Sequence, residues 1–459
     1  MTTQIHFDFM STNYEKYQSL RKQYPVFTYE SFHVTCSEKE MRIEFLFVVD
    51  EHIKFQPTLS IPIRPFYKID ELSNEQINLL AFHIGMIELA SYWKATCSPK
   101  VLIKPFALSN AQIEWWKKLY FQGLGEFFYV NKVATTQSEF MTIECISDVV
   151  LKKQTFNLDE KIIVPIGGGK DSVVTLELLR KSHLELRPMI INPRGATLNC
   201  AKIAGFECEQ IIEVNRTIHP RLLELNAEGF LNGHTPFSAM LAFVSLLTSA
   251  ITGMKYIALS NESSANEPTV LGQDVNHQYS KSLEFENDFR TYVKNFMSEN
   301  FNYFSFLRPL NELKIAEYFS KFPQYHSIFR SCNVGSKDDI WCNNCAKCLF
   351  AFIILSPFIE PQKMIEIFGT DLLNATPLQH VFNQLIGIEN VKPFECVGTI
   401  DEVNNALNLH IQRFPNHTPV LIEYYKTLPN YTKNPIDITS EFSAEHNLLP
   451  VFLNGSRLE

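Results

Sequence analysis

The chain has 459 residues, 45% hydrophobic and 20% charged, which fits a globular protein with two or three cored domains and excludes a disordered or fibrous one. A net charge of −9 argues against broad electrostatic binding of nucleic acid, which needs basic surface, so no nucleic-acid partner is expected. No basic leader precedes an apolar core at the N-terminus and no run of 18 apolar residues occurs, so neither a signal peptide nor a membrane span is expected, and the protein is read as cytoplasmic.

Residues 1–155 read as an N-terminal α+β domain. Ile43, Phe45, Phe47 and Val49 alternate in MRIEFLFVVD, the pattern of a half-buried strand. Asp70 to Trp93 reads as a helix with Ile77, Leu80, Ile84 and Ile87 along one side, and a second helix over Asn110–Phe121 carries Trp115 and Trp116. No chemical motif occurs here; a domain that flanks and shapes a site is expected, with direct substrate contact as the alternative.

From residue 156 to about 360 the pattern becomes strand–helix alternation. Strands are expected at 161–166, 188–191, 210–214 and 255–259, with helices at 171–182 and 237–251 among them. This implies an α/β core, a parallel sheet covered by helices, with ligands beyond the carboxyl ends of the strands. The first strand runs into KIIVPIGGGKDSVV: three glycines (Gly167, Gly168, Gly169), then Lys170, Asp171 and Ser172, then a helix start. A helix start offers unpaired N–H groups and a positive dipole end, and glycines let backbone approach an anion closely. The spacing is not that of the P-loop, which needs four residues between its glycines and then Lys-Ser/Thr. An ordinary strand-to-helix turn is the alternative.

Other strand ends are also polar. The second runs into Asn192-Pro193-Arg194-Gly195, where Arg194 suits an adenylate or phosphate or is a surface arginine. The fourth runs into SNESSANE, where Glu262 and Glu267 are candidate Mg²⁺ ligands or solvent carboxylates. His234 precedes a helix that Thr235 is expected to cap, with Pro236 in its first turn. In LGQDVNHQYSKSLEFENDFR, residues 271–290, His277 is a candidate acid or base and Lys281 a candidate phosphate contact or catalytic group.

RSCNVGSKDDIWCNNCAKCLF places Cys332, Cys342, Cys345 and Cys348 in a C-x9-C-x2-C-x2-C arrangement. Four thiolates converging from short steps suit a closed structural Zn²⁺; an iron–sulfur cluster on three of them, or a redox pair, is the alternative. Residues 361–459 read as a mainly helical region. Within it Pro393–Thr399 is the one unusual segment, and Cys396 is either catalytic or a buried packing residue.

The glycine loop resembles the S-G-G-x-D-S loop of the PP-loop ATP pyrophosphatases, with Gly167 where those have serine. The cysteine tail is similar to that of 7-cyano-7-deazaguanine synthase, another PP-loop enzyme, where it holds zinc. Taken together, VPIGGGKDSVV, INPRGAT, LNGHTPFSA, ALSNESSANEPTV with VNHQYSKS, WCNNCAKC and FECVGT resemble the MurL-type family of UDP-N-acetylmuramoyl-L-alanyl-L-glutamate epimerases. The resemblance runs from about residue 161 to 399, and the first 150 residues suit that family's N-terminal domain.

That resemblance implies a PP-loop (adenine nucleotide alpha hydrolase-like) core and an ATP-dependent inversion of the terminal L-Glu of a UDP-linked muramoyl dipeptide to D-Glu. It implies ATP, Mg²⁺ and a structural Zn²⁺, with Gly167, Gly168, Gly169, Asp171 and Ser172 cradling pyrophosphate and Lys170 and Lys281 adding positive charge. Converting the carboxylate to an acyl-adenylate removes a negative charge beside the α-carbon and makes its proton accessible to a base. His234, His277 and Cys396 are the acid/base candidates. Rival readings are a PP-loop ligase or amide-forming synthase, a tRNA-modifying enzyme, and an inactive nucleotide-binding scaffold.

Overall fold

In the computed structural model, which describes residues 12–270 and 275–456, the chain is mixed α/β. Residues 271–274, at the head of the polar 271–290 stretch, lie outside the described residues, as do the first 11. The chain forms two units: the described residues of Met1–Ile163, Ile212–Ile257 and Gln273–Tyr303, and those of Val164–Ile211, Ala258–Gly272 and Phe304–Glu459.

The first unit opens with α1 (Thr12–Gln23) and β1 (Val26–Cys36), which pairs antiparallel with β2 (Glu40–Val48). The alternation expected in β2 is present: Ile43, Phe45 and Phe47 are no more than 2% exposed, while Val49 falls one residue beyond the strand. β3 (Lys54–Phe55) and β4 (Thr58–Pro62) both join β2 antiparallel. The helix expected at 70–93 is instead a short 3₁₀ turn, Ile69–Glu71, followed by α2 (Asn74–Thr96). Its start is set by Ser73, whose hydroxyl accepts from Gln76 N while the Gln76 side chain accepts from Ser73 N, a capping box that satisfies two orphan amides. Every residue from Leu79 to Thr96 is buried, so α2 is a core helix and not the one-sided surface helix its stripe suggested. β5 (Lys100–Ile103) runs parallel to β1; α3 (Asn110–Gly123) repeats the same cap with Ser109 and Gln112. After α4 (Gly125–Val130), β6 (Thr142–Cys145) extends β5 in parallel.

The expected strand–helix alternation follows as β7 (Asp159–Pro165), α5 (Lys170–Leu179), β8 (Leu186–Ile191), α6 (Gly195–Ile203), β9 (Ile212–Arg216), α7 (Pro220–Ala227), α8 (Phe237–Thr252) and β10 (Met254–Leu259). β7 and β10 pair in parallel, Ile162 opposite Tyr256. β9 departs from the all-parallel expectation: it pairs antiparallel with β4, Leu59 opposite Arg216. α8 is capped by Pro236, and Thr235 supplies no side-chain cap. α8 stops at Gly253, whose φ of +66° is the left-handed conformation that glycine adopts without a Cβ clash.

The remainder is α9 (Leu283–Phe296), β11 (Asn302–Ser305), α10 (Glu312–Ser320), α11 (Ala346–Leu355), α12 (Pro361–Phe368), α13 (Gln379–Leu385), α14 (Ile400–Arg413), α15 (Val420–Tyr425) and α16 (Pro450–Ser456). Among the described residues no helix is long and apolar enough to cross a membrane.

A polar node centred on Tyr292 lies in the first unit's core. The Tyr292 hydroxyl lies 3.0 Å from His83 Nε2, and Trp116 Nε1 and Gln112 Nε2 donate to it at 3.0 and 3.3 Å. His83 Nδ1 lies 2.7 Å from the Leu79 carbonyl, which can only accept, so Nδ1 carries the hydrogen and Nε2 accepts from the hydroxyl. Trp115, Trp116 and Phe243 pack their rings around this node. Burial holds His83 neutral, its pKa lowered to about 4.

Tyr292→Phe strands the buried His83 and Trp116 nitrogens together with the half-buried Gln112 amide and is expected to cost about 1–3 kcal/mol in urea denaturation. His83 has its folded pKa below its unfolded value, so its contribution is present above about pH 6.5 and lost as pH falls toward 4. That loss amounts to at most about 3 kcal/mol. A His83→Gln variant whose stability keeps the full acid-side decline of the parent would refute this assignment.

Candidate functional site

The glycine loop follows β7 in the chain, and in the second unit α5 begins at Lys170 with Gly169 as its cap residue, which makes no side-chain cap. The first-turn amides are therefore not covered by a capping side chain, the condition an anion site requires. Ser172 Oγ donates to the Gly169 carbonyl at 2.9 Å. The three glycines are not equivalent. Gly168 has φ +81° and a Cβ there would meet Ala196 at 3.0 Å; a Cβ at Gly169 would meet Ser331 Oγ at 2.8 Å. A Cβ at Gly167 would meet nothing within 4 Å, so a serine fits there sterically and its absence is a chemical departure, not a steric demand.

Lys170 and Asp171 point to different surroundings than the loop backbone does. Lys170 is 3% exposed and its ammonium bridges Asp171 and Glu312. Burial opposes its charge, but the two carboxylates outweigh that and hold its pKa well above the ordinary lysine value. Asp171, Glu262 and Glu312 each bring a carboxylate oxygen within 4.8 Å of one another. This is an all-oxygen donor set of the kind Mg²⁺ takes. Glu262 is 4% exposed, accepts from Ser264 Oγ at 3.3 Å, and its carbonyl accepts from Arg308. Glu267 is not part of this group: its carboxylate pairs with Lys392.

Arg194 is exposed and its Nη2 lies 3.3 Å from Ser336 Oγ. The start of α6 beside it is occupied from within the protein, since Asp339 Oδ1 accepts from Ala196 N at 2.8 Å. The loop carrying Asp339 leads into the cysteines. The Sγ atoms of Cys332, Cys342, Cys345 and Cys348 lie within 4.8 Å of one another, with separations of 3.9 Å (332–345), 3.7 Å (342–348) and 3.5 Å (345–348). Ligands 2.3 Å from a tetrahedral Zn²⁺ are about 3.8 Å apart, so the four thiols fit that ion. Gly335 N donates to Cys332 Sγ at 3.1 Å. All ten cysteines are free of disulfides, and Cys396 is half-buried and outside the cluster.

The first unit holds two of the three acid/base candidates, His234 and His277, while Cys396 lies in the second. The rings of His234 and His277 lie tilted by 49° with centroids 4.3 Å apart, and both approach one carboxylate: His277 Nδ1 lies 2.5 Å and His234 Nδ1 3.7 Å from Glu126 Oε2. His234 has its pKa lowered to about 3, by burial first and then by His277, Lys94 and Lys281. Lys94, on α2, is 7% exposed and donates to the Gly233 carbonyl; burial, and secondarily Arg216, lower its pKa to about 8.

Of the residues singled out from sequence, the glycine loop, Arg194, Glu262 and the four cysteines thus belong to the second unit, and His234, His277 and Lys281 to the first. Sequence reasoning missed Glu126, Lys94, Glu312 and Glu402. Glu402 is marked by the Thr-x-x-Glu spacing of a capping box; no local motif marks the other three, and for Lys94 a charged residue inside an otherwise apolar helical stretch was the available signal.

Residues 18–306 match the family described as the MurL N-terminal domain, and residues 325–436 the MurL C-terminal domain. The chain is 32% identical over 395 residues to a UDP-N-acetyl-alpha-D-muramoyl-L-alanyl-L-glutamate epimerase of Salinispora tropica, covering 83% of this chain and 84% of the relative. Proteins of the same name from a Micromonospora species and from Xanthomonas oryzae pv. oryzae are each 30% identical, over 390 residues (83% and 86%) and 370 residues (79% and 81%).

Lys170→Met leaves the buried Glu312 carboxylate without its cation and is expected to destabilise the protein by about 3–5 kcal/mol, with Lys170→Met/Glu312→Leu recovering part of the loss. Gly168→Ala is expected to cost about 1 kcal/mol or more, and Gly167→Ala to leave the denaturation midpoint unchanged.

Proposed function

Because the chain belongs to the MurL family, we propose that it is an isomerase that inverts the terminal L-Glu of UDP-N-acetylmuramoyl-L-alanyl-L-glutamate to D-Glu, a step in making peptidoglycan precursor. The observation that carries this reading is the match of both MurL domains along one chain, at 18–306 and 325–436. The finer chemistry is ATP-dependent. The glutamyl carboxylate is converted to an acyl-adenylate with release of pyrophosphate, the α-proton is removed and returned on the other face, and hydrolysis releases AMP.

The physical logic lies in charge. A carboxylate resists loss of its α-proton because the enolate places a second negative charge beside the first; the acyl-adenylate has lost that first charge. Gly167, Gly168, Gly169, Asp171 and Ser172 hold the phosphates at the start of α5, where the amides lack a capping side chain. Lys170 acts by fixing Asp171 and Glu312, to which it is paired, and not by reaching the nucleotide. Arg194 flanks the phosphates. Glu262 with Asp171 and Glu312 would hold Mg²⁺, which would offset phosphate charge. Cys332, Cys342, Cys345 and Cys348 would hold Zn²⁺, which would brace the loop between residues 332 and 348 without entering the reaction. His234, His277 and Lys281 are the acid/base group.

Incubation with ATP, Mg²⁺ and UDP-N-acetylmuramoyl-L-alanyl-L-glutamate in D₂O is expected to yield D-Glu carrying deuterium at Cα, with AMP and pyrophosphate. Folded protein that consumes ATP with this substrate yet forms no D-Glu would sink the reading, and a nitrogen-containing product would favour an amide-forming synthase. Elemental analysis is expected to find one zinc per chain, and Cys345→Ser to lose it together with several degrees of thermal stability; zinc-free wild type would remove the brace.

A further inference from the structure

Glu126, His234 and His277 reach one point from three separate stretches: α4, the loop before α8, and the turn before α9. Their ligand atoms are close enough to hold a divalent metal, but the surroundings are cationic. Lys94 and Lys281 both place positive charge on His234, and a dication would meet both ammonium groups. Those surroundings suit proton transfer to and from a carbon acid whose developing charge is negative.

The two imidazoles are differently placed for that work. His277 Nδ1 is held at 2.5 Å by the Glu126 carboxylate, while His234 stands 3.7 Å away from the same oxygen. A carboxylate aligned on one ring nitrogen fixes the ring and stabilises the imidazolium that forms when the other nitrogen takes a proton. His234, kept neutral by burial, lies tilted beside it without adding charge against that protonation.

We infer that His277 exchanges the α-proton of the activated glutamyl residue on one face of the carbon, and that Glu126 is the positioning residue that sets its ring. This deepens the epimerase reading and rests on it. The proton passes from Cα to His277 Nε2, the C–H electron pair moves into the activated carbonyl to give the enolate, and the imidazolium sits against Glu126. The opposite face takes a solvent-derived proton, and the imidazolium gives its own back to water. In the reverse direction the same steps run backwards.

The test follows α-hydrogen exchange in D₂O, with ATP and Mg²⁺, from each epimer of the substrate separately. Wild type is expected to exchange from both. His277→Gln is expected to lose exchange from one epimer by about 100-fold or more and to keep it from the other, while substrate-dependent ATP–pyrophosphate exchange continues. Glu126→Gln is expected to slow exchange from that same epimer through kcat, with KM little changed. Should His277→Gln lose activation as well, Glu126→Gln decides by the same readout. Equal loss from both epimers with activation intact would overturn the inference, as would undiminished epimerisation. A stoichiometric metal in wild type that His234→Gln removes would overturn it too. Wild type that activates its substrate but never forms D-Glu would overturn the epimerase reading and this inference with it.

Discussion

One buried ammonium organises the second unit. Lys170 lies at the first position of α5 and bridges Asp171 on its own helix to Glu312, the first residue of α10. Glu402 continues the chain of charge. Its Oε1 accepts from Glu312 N at 2.8 Å and its Oε2 from Thr399 N at 2.7 Å, so one carboxylate closes the capping box of α14 and ties the start of α10. Three helix N-termini are thereby drawn together with acidic groups at their positive ends, where the helix dipoles favour them. Such a buried network is a weak source of net stability and a strong source of specificity, because any other arrangement leaves a charge unpaired out of water.

This knot decides what the glycine loop can be. A lysine following Gly-Gly-Gly invites a phosphate-binding role, yet its side chain faces inward and is consumed by carboxylates. What the start of α5 leaves open is backbone: Gly168 turns the chain in a conformation that side-chain-bearing residues rarely adopt, and Gly169 starts the helix without a side-chain cap. The neighbouring helix start, α6, follows the opposite plan and is capped by Asp339. Of these two neighbouring helix starts, one is kept clear of capping side chains and the other is filled from within.

The first unit builds its chemistry differently. α2 is buried along almost its whole length, so each polar residue on it must find a partner inside the protein. His83 finds Tyr292, Glu88 takes Arg216 through both oxygens at 2.7 and 2.9 Å, and Lys94 takes the Gly233 carbonyl. The last of these fixes the segment that carries His234. A core helix thus supports the histidine pair from behind.

Much of this architecture is local and was legible as such. Alternating apolar residues place β2, apolar runs ahead of polar loops locate β7, β8, β9 and β10 within two residues, and the cysteine spacing announces a four-thiol site. These features depend on neighbours in the chain, which is all that periodicity and capping report. The antiparallel pairing of β9 with β4, the inward turn of Lys170 to a glutamate 142 residues away, and the meeting of Glu126 with His277 across 151 residues leave no such trace. A buried charge is selected by whatever partner the folded chain brings to it, and that partner's identity is a property of the packing. The amino-acid sequence by itself therefore determined the elements, the thiol cluster and the family resemblance. Tertiary structure alone decided which ionisable groups face one another.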